Sequence, residues 1–166
     1  MVILTADHGE ALGESGLFYH GFMTPMTLRV PLLIRNPSSP SNHVIRPASL
    51  IDVAPTILSA LGFSNSCFSG SPLSLSPDRV VLGESSMGVV FHENARLSDT
   101  AHIGEVGVTR LPWQLIYDYD LDTLTLLNLS NDPKGESNLA GPSLPEEGYL
   151  ISLLSNFLSM HRSPAP

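Results

Sequence analysis

Asp7 and His8 stand side by side where a short apolar run, Val2-Ile3-Leu4, gives way to polar residues and Gly9. A run of β-branched and aliphatic residues of this kind reads as a strand buried on both faces of a parallel sheet. Open α/β sheets place their chemistry at the carboxyl ends of such strands. A carboxylate and an imidazole on adjacent residues of a non-helical backbone can both reach one divalent cation. Both are standard ligands for zinc, manganese or a harder ion. The plainer alternative is a hydrogen-bonded turn, since Asp and Gly form turns without any ligand.

A long pattern surrounds the pair. Asp7-His8-Gly9-Glu10-x-Leu12-Gly13-Glu14 is followed by Tyr19-His20-Gly21, by Leu28-Arg29-Val30-Pro31-Leu32-Leu33-Ile34-Arg35-Asn36-Pro37, and by Ile51-Asp52-Val53-Ala54-Pro55-Thr56-Ile57-Leu58. Together they resemble the C-terminal part of the sulfatase family, in the alkaline-phosphatase-like superfamily. The resemblance resumes in Trp113-Gln114-Leu115-Ile116-Tyr117 and in Leu127-Asn128-Leu129-Ser130-Asn131-Asp132-Pro133, with Glu136 and Asn138-Leu139-Ala140 after them. Residues 64 to 100 and the final tail carry no recognisable match.

This resemblance implies a metal-dependent hydrolase of sulfate esters in which Asp7 and His8 are metal ligands. It implies calcium for a sulfatase, and zinc or manganese for a phosphate-handling relative. In related enzymes a Lys or His at the place of His20 contacts the transferring group or helps to bind metal. An imidazole, with an ordinary pKa of about 6.5, serves as a neutral ligand or as a cationic donor to the leaving oxygen. Sulfatases often have Lys there. His20 therefore keeps a phosphodiester or phosphonate hydrolase, or a phosphoethanolamine-type transferase, in view. Glu10 and Glu14 read as loop-organising acceptors for backbone N–H groups, and Arg29 as a partner for one of them or as a residue that orients the loop. His43, His92, His102 and His161 are scattered without ligand spacing and default to surface or packing roles.

The family's nucleophile lies in an N-terminal half, as a cysteine-derived formylglycine or a serine or threonine. Nothing resembling that half is present in this sequence. The chain reads as a fragment that needs the missing half and is inactive alone, or as a non-catalytic remnant. Its one cysteine, Cys67, excludes an internal disulfide and lacks the Pro and Arg of the activation pattern downstream, so it reads as an ordinary thiol. A formal net charge of −8 argues against nucleic acid and against an anionic membrane surface as partners. It does not forbid a sulfate- or phosphate-ester substrate, because a metal and local cations set the potential at a site. There is no apolar run of spanning length and no secretory signal pattern, and the compartment stays open.

The elements that must position these residues form an α/β chain, expected as the C-terminal part of an alkaline-phosphatase-like sandwich. Residues 1–76 should hold parallel core strands with helices. Residues 77–166 should form a small antiparallel sheet with a terminal helix. Val2 to Leu4 and Val30 to Ile34 read as buried strands, with a broken polar loop from Glu10 to Gly21 and a helical turn around Pro25 to Leu28 between them. Asp52 should N-cap a helix to Leu61 that packs Ala54, Ile57, Leu58 and Leu61 on the sheet. Val80 to Leu82 and Val89 to Phe91 read as strands around a turn at Gly83 to Ser86. His102 to Arg110, Trp113 to Asp118 and Thr123 to Asn128 read as a meander. Ser143 and Glu146 form a capping-box pattern for a helix to about Met160, with Leu150, Leu153, Leu154, Phe157 and Leu158 as its apolar stripe.

Overall fold

The structure, a computed structural model, describes residues 1–37, 46–64, 67–73, 79–85, 104–141 and 144–161. Its centre is a four-stranded antiparallel meander of β5 (Val81–Ser85), β6 (Glu105–Arg110), β7 (Trp113–Asp118) and β8 (Thr123–Asn128), paired in that order. Register pairs Val108 with Leu115 and Leu115 with Leu126, so one face of the sheet presents Val106, Val108, Leu115 and Leu126. The terminal helix Pro145–His161 covers that face with Leu150 and Leu154, both buried, and with half-buried Leu153, Phe157 and Leu158. Full burial of each such side chain stabilises by roughly 1.5–3 kcal/mol. Pro145 opens the helix, where its missing N–H has no intrahelical partner to lose. Ser143 lies outside the described residues.

The opposite face is also covered. Met23 is buried there with Ile116 and Leu127. Its methyl lies where a side chain on β6 would stand: a Cβ at Gly107 would meet Met23 Cε at 2.8 Å.

The N-terminal segment contributes β1 (Val2–Thr5) and β4 (Leu32–Arg35), which pair antiparallel, Thr5 opposite Leu32. The expected parallel relation of these strands is thus corrected. The chain from Ala6 to Pro31 leaves and re-enters the pair at the same end, whereas a parallel neighbour needs a crossover back to the far end. The second strand begins at Leu32, because Val30 and Pro31 precede the ladder and proline has no N–H to donate, as Pro31 suggests from the sequence. Neither strand holds a buried residue: Val2 is 64% exposed, Leu4 62% and Leu33 58%.

Further corrections concern the middle of the chain. Helix α2 runs Val53–Ala60, after a 3-10 turn at Leu50–Asp52. Asp52 stands at the N-cap position of α2, as expected, but its side chain makes no capping hydrogen bond there. It is the third residue of the 3-10 turn, and its carboxylate accepts from Ser49 N at 3.0 Å, from Ser71 N at 3.1 Å, and from the Arg79 guanidinium. Asp52 is wholly buried, and this polar cluster ties residues 49, 71 and 79 together. The apolar side of α2 is not packed on a sheet: Ile57 is 38% and Leu61 67% exposed. Gly83 to Ser85 continue strand β5 instead of turning. Ser86, the Val89 to Phe91 strand, and His102 lie outside the described residues.

Candidate functional site

The site is built by the connection between β1 and β4. Asp7 and His8 leave the end of β1, and a hairpin follows in which the two-residue strand β2 (Ala11–Leu12) pairs with the two-residue strand β3 (Phe18–Tyr19). Ala11 lies opposite Tyr19, so the residues just outside the pair, Glu10 and His20, face one another. The loop that the sequence shows as broken by glycines is this hairpin, with a 3-10 turn at Glu14–Gly16.

Three hydrogen bonds hold the loop against the body of the chain. Gly9 donates its N–H to Thr27 O at 2.7 Å, and a Cβ at Gly9 would stand 1.9 Å from Met26 O, so only glycine fits against the one-turn helix α1 (Pro25–Leu28). That helix is capped by the Thr24 hydroxyl, which accepts from Thr27 N. On the far side of His20, Ser85 Oγ donates to Gly21 O at 2.8 Å and Met23 N donates to the Glu105 carboxylate at 2.5 Å. Tyr19 has φ 70°, a left-handed conformation that costs a residue with a Cβ roughly 1–2 kcal/mol. The packed contacts at Gly21 and Met23 offset it.

Within this frame the imidazoles of His8 and His20 stack, with ring centres 3.9 Å apart and planes inclined by 27°. His8 Nδ1 lies 2.8 Å from Gly9 O, a carbonyl that only accepts, so Nδ1 carries the proton. His8 Nε2 is then directed toward Asp7, 3.6 Å from Oδ2. The other Asp7 oxygen accepts from His8 N at 3.0 Å. That backbone donor first, and then Asp7's own backbone N–H, hold the Asp7 carboxyl below the ordinary aspartate range. His20 Nδ1 lies 3.2 Å from Glu10 Oε2 and donates to it. Asp7, His8, Glu10 and His20 are all at the surface, near or beyond half exposure.

The sequence expectations meet this geometry unevenly. Asp7 and His8 lie together, as an adjacent pair must, and His20 is brought onto His8 from twelve residues away. Glu14 accepts from Leu12 N at 2.7 Å, as a loop-organising acceptor does. Glu10 departs from that expectation, since its carboxylate takes the His20 ring. Arg29 makes no ion pair with Glu10 or Glu14 among the described residues. His8, Glu10 and His20 each offer a ligand atom within 4.8 Å of the other two. Cys67 is exposed and outside this site. His43 and His92 lie outside the described residues, and His161 ends the terminal helix.

The donor set suits a divalent cation in part. Asp7 is ionised at neutral pH, and His8 shows the arrangement usual for a ligating imidazole: one nitrogen donates to a carbonyl and the other presents its lone pair. Two ligands of one cation, each about 2.1 Å from it at a tetrahedral angle, stand about 3.4 Å apart. The spacing of His8 Nε2 and Asp7 Oδ2, 3.6 Å, is near that. The pair makes only half of a typical coordination shell.

Comparison with known proteins agrees with the fold. Residues 1–63 match the family profile Sulfatase. The chain is 32% identical over 158 residues to arylsulfatase K of Xenopus laevis, covering 88% of this chain and 28% of the relative. It is 27% identical over 144 residues to choline-sulfatase of Rhizobium meliloti (strain 1021), covering 81% and 28%. Among solved structures it superposes on a 2-O GAG sulfatase with TM-score 0.68 at 17% identity, over 96% of this chain and 36% of that one. The chain thus spans about a third or less of the length of these relatives. Members of the family bind a divalent metal, and no helix among the described residues is long and apolar enough to cross a membrane. On these matches, and on the architecture it shares with them, the chain belongs to the sulfatase family, within the alkaline-phosphatase-like superfamily.

Proposed function

We propose that this chain is part of a sulfate-ester hydrolase, contributing Asp7 and His8 to its metal and His20 to the departing oxygen. The stacking of His20 on His8 carries the reading, because it sets a cationic or proton-bearing ring beside the metal ligands. A divalent ion held by Asp7 and His8 draws charge from a sulfate oxygen when bound. In the net reaction water replaces the alcohol on sulfur, and the ester S–O bond breaks. The departing oxygen gains a proton, which His20 Nε2 supplies from the imidazolium form while Nδ1–H stays on Glu10. Calcium suits Asp7 and the remaining oxygen ligands of a sulfatase, whereas zinc or manganese suits a set richer in imidazole.

The reading includes a need for further protein. Asp7 and His8 are two ligands where a tight site takes more, the sequence holds no activation pattern for a formylglycine, and Val2, Leu4, Leu33, Ile34 and Ile57 of β1, β4 and α2 are exposed. The rest of a sulfatase domain supplies the nucleophile and covers those faces. The isolated chain is therefore inactive. His20 favours a second reading, a phosphodiester or phosphonate hydrolase or a phosphoethanolamine-type transferase, because an imidazole can also ligate metal.

Turnover of 4-nitrophenyl sulfate and bis-4-nitrophenyl phosphate by the assembled enzyme, stripped of metal and then resupplied, separates the readings. The sulfate ester should be preferred, and Asp7→Ala should abolish turnover that metal cannot restore. A preference for the phosphodiester would move the chain to the second reading.

A further inference from the structure

We propose that Glu10 is the positioning residue for His20, fixing its tautomer so that Nε2 is the nitrogen turned to the substrate. The inference rests on the role of His20 given above and deepens it. Hairpin pairing sets the two side chains across from one another, with Ala11 opposite Tyr19 one residue further in. Glu10 Oε2 lies 3.2 Å from His20 Nδ1. An ionised carboxylate only accepts, so the contact requires the proton on Nδ1. In the neutral ring Nε2 then holds the lone pair, and in the cationic ring Nε2–H is the donor left for a substrate oxygen. Without Glu10 either nitrogen could carry the proton, and only part of the population would present Nε2 correctly.

The nearness of His8, Glu10 and His20 suggests another use, a three-residue cation site. The stack argues against it. Lone pairs on imidazole nitrogens lie in the ring planes, and rings 3.9 Å apart and inclined by only 27° direct them nearly alongside one another rather than at one point. Glu10 Oε2 is already engaged by Nδ1–H of His20. Holding one cation between both rings would require the stack to open. Tautomer control needs no rearrangement.

Each ring of the stack is also held through its own Nδ1–H, His8 by the Gly9 carbonyl and His20 by Glu10. Both Nε2 atoms are thereby left for ligand or substrate. This gives Glu10 a function that its exposed position and small energetic value as a surface pair would not suggest.

The test is nitrogen NMR of the chain with 15N-labelled histidine, recorded above about pH 8 where an ordinary imidazole is neutral. His20 is assigned by the signals lost in His20→Gln. In the native chain His20 should be chiefly the Nδ1–H tautomer. Glu10→Ala should lower the ratio of Nδ1–H to Nε2–H several-fold, and Glu10→Gln, which keeps an acceptor oxygen, should restore most of it. A predominance of Nε2–H in the native chain would overturn the proposal, as would an unchanged ratio in Glu10→Ala or a Glu10→Gln ratio no better than that of Glu10→Ala. Glu10 is exposed and, among the described residues, pairs across the hairpin with His20, and unchanged Leu115 and Leu126 methyl signals would show the fold intact in each variant. The readout involves no hydrolysis, so failure of the tautomer leaves the sulfate-ester reading standing. Conversely, a wrong ester preference in the assembled enzyme would not alter the nitrogen spectrum.

Discussion

The backbone N–H of Met23 donates to the carboxylate of Glu105 at 2.5 Å, joining the loop just past His20 to the first residue of β6, 82 positions along the chain. Met23 then inserts its side chain over Gly107 and against Ile116 and Leu127. The candidate site is held from behind by the C-terminal sheet, and its geometry depends on a part of the chain that contributes no chemistry.

Gly107→Val should therefore displace Met23 and loosen the His20 loop. An added branched side chain where 2.8 Å separates a bare Cβ from Met23 Cε overpacks the site, at a cost of about 1–3 kcal/mol. Urea denaturation measures the loss, and a changed His20 ring environment in the NMR spectrum checks the link. Native stability in Gly107→Val would show that Met23 gives way without consequence.

Arg79→Met should be among the most destabilising changes. It leaves the wholly buried Asp52 carboxylate without its cation, and stranding a buried charge costs on the order of 3 kcal/mol. The Asp52→Asn, Arg79→Met double variant should recover part of that loss, because no charge is left buried. A double variant as unstable as Arg79→Met alone would argue that packing by Arg79, rather than its charge, holds the segment.

Asp132 gives a pH signature. Backbone N–H groups, that of Ser137 foremost and then those of Glu136, Gly135 and Lys134, hold its carboxyl below the ordinary aspartate value. A depressed folded-state pKa contributes stability above the unfolded pKa of about 3.9 and loses it as pH falls through the folded value. The gap between native protein and Asp132→Asn in thermal melts should be widest above about pH 5 and close toward pH 2. A gap that widens in acid contradicts this assignment.

The uncovered strands predict how the isolated chain behaves. Val2, Leu4 and Leu33 present apolar surface on a two-stranded pair, an arrangement marginal in water without a third strand or a covering layer. The chain should bind a hydrophobic dye at neutral pH, and joining it to the rest of a sulfatase domain should abolish that binding. A cooperative thermal transition with no dye signal from the isolated chain would contradict the prediction.

The C-terminal half was the more legible part of the sequence. Trp113 to Asp118 and Thr123 to Asn128 form strands with the expected bounds, because turn residues bracket each run, and Leu150 and Leu154 lie on the buried stripe that periodicity assigns them. The antiparallel relation of β1 and β4 was not legible, since apolar runs carry no direction. Asp52 followed by a helical pattern reads as a cap, and only the fold shows Ser71 and Arg79 arriving from elsewhere to claim its carboxylate. At the site, Asp7 and His8 are legible as neighbours, and His20 through the family pattern. Glu10 was misread because its partner is set by a hairpin with strands only two residues long, too short to show any alternation.

The assignment of His20 to the leaving oxygen is tested most directly by His20→Ala in the assembled enzyme, with alkyl and nitrophenyl sulfate esters compared. Negative charge accumulates more on a poor leaving group in the transition state, so a proton donor matters most there. The account predicts a loss on the order of 10²-fold or more for alkyl esters and a far smaller one for nitrophenyl esters. Equal losses on both, partly restored by added metal, would make His20 a metal ligand and contradict the account.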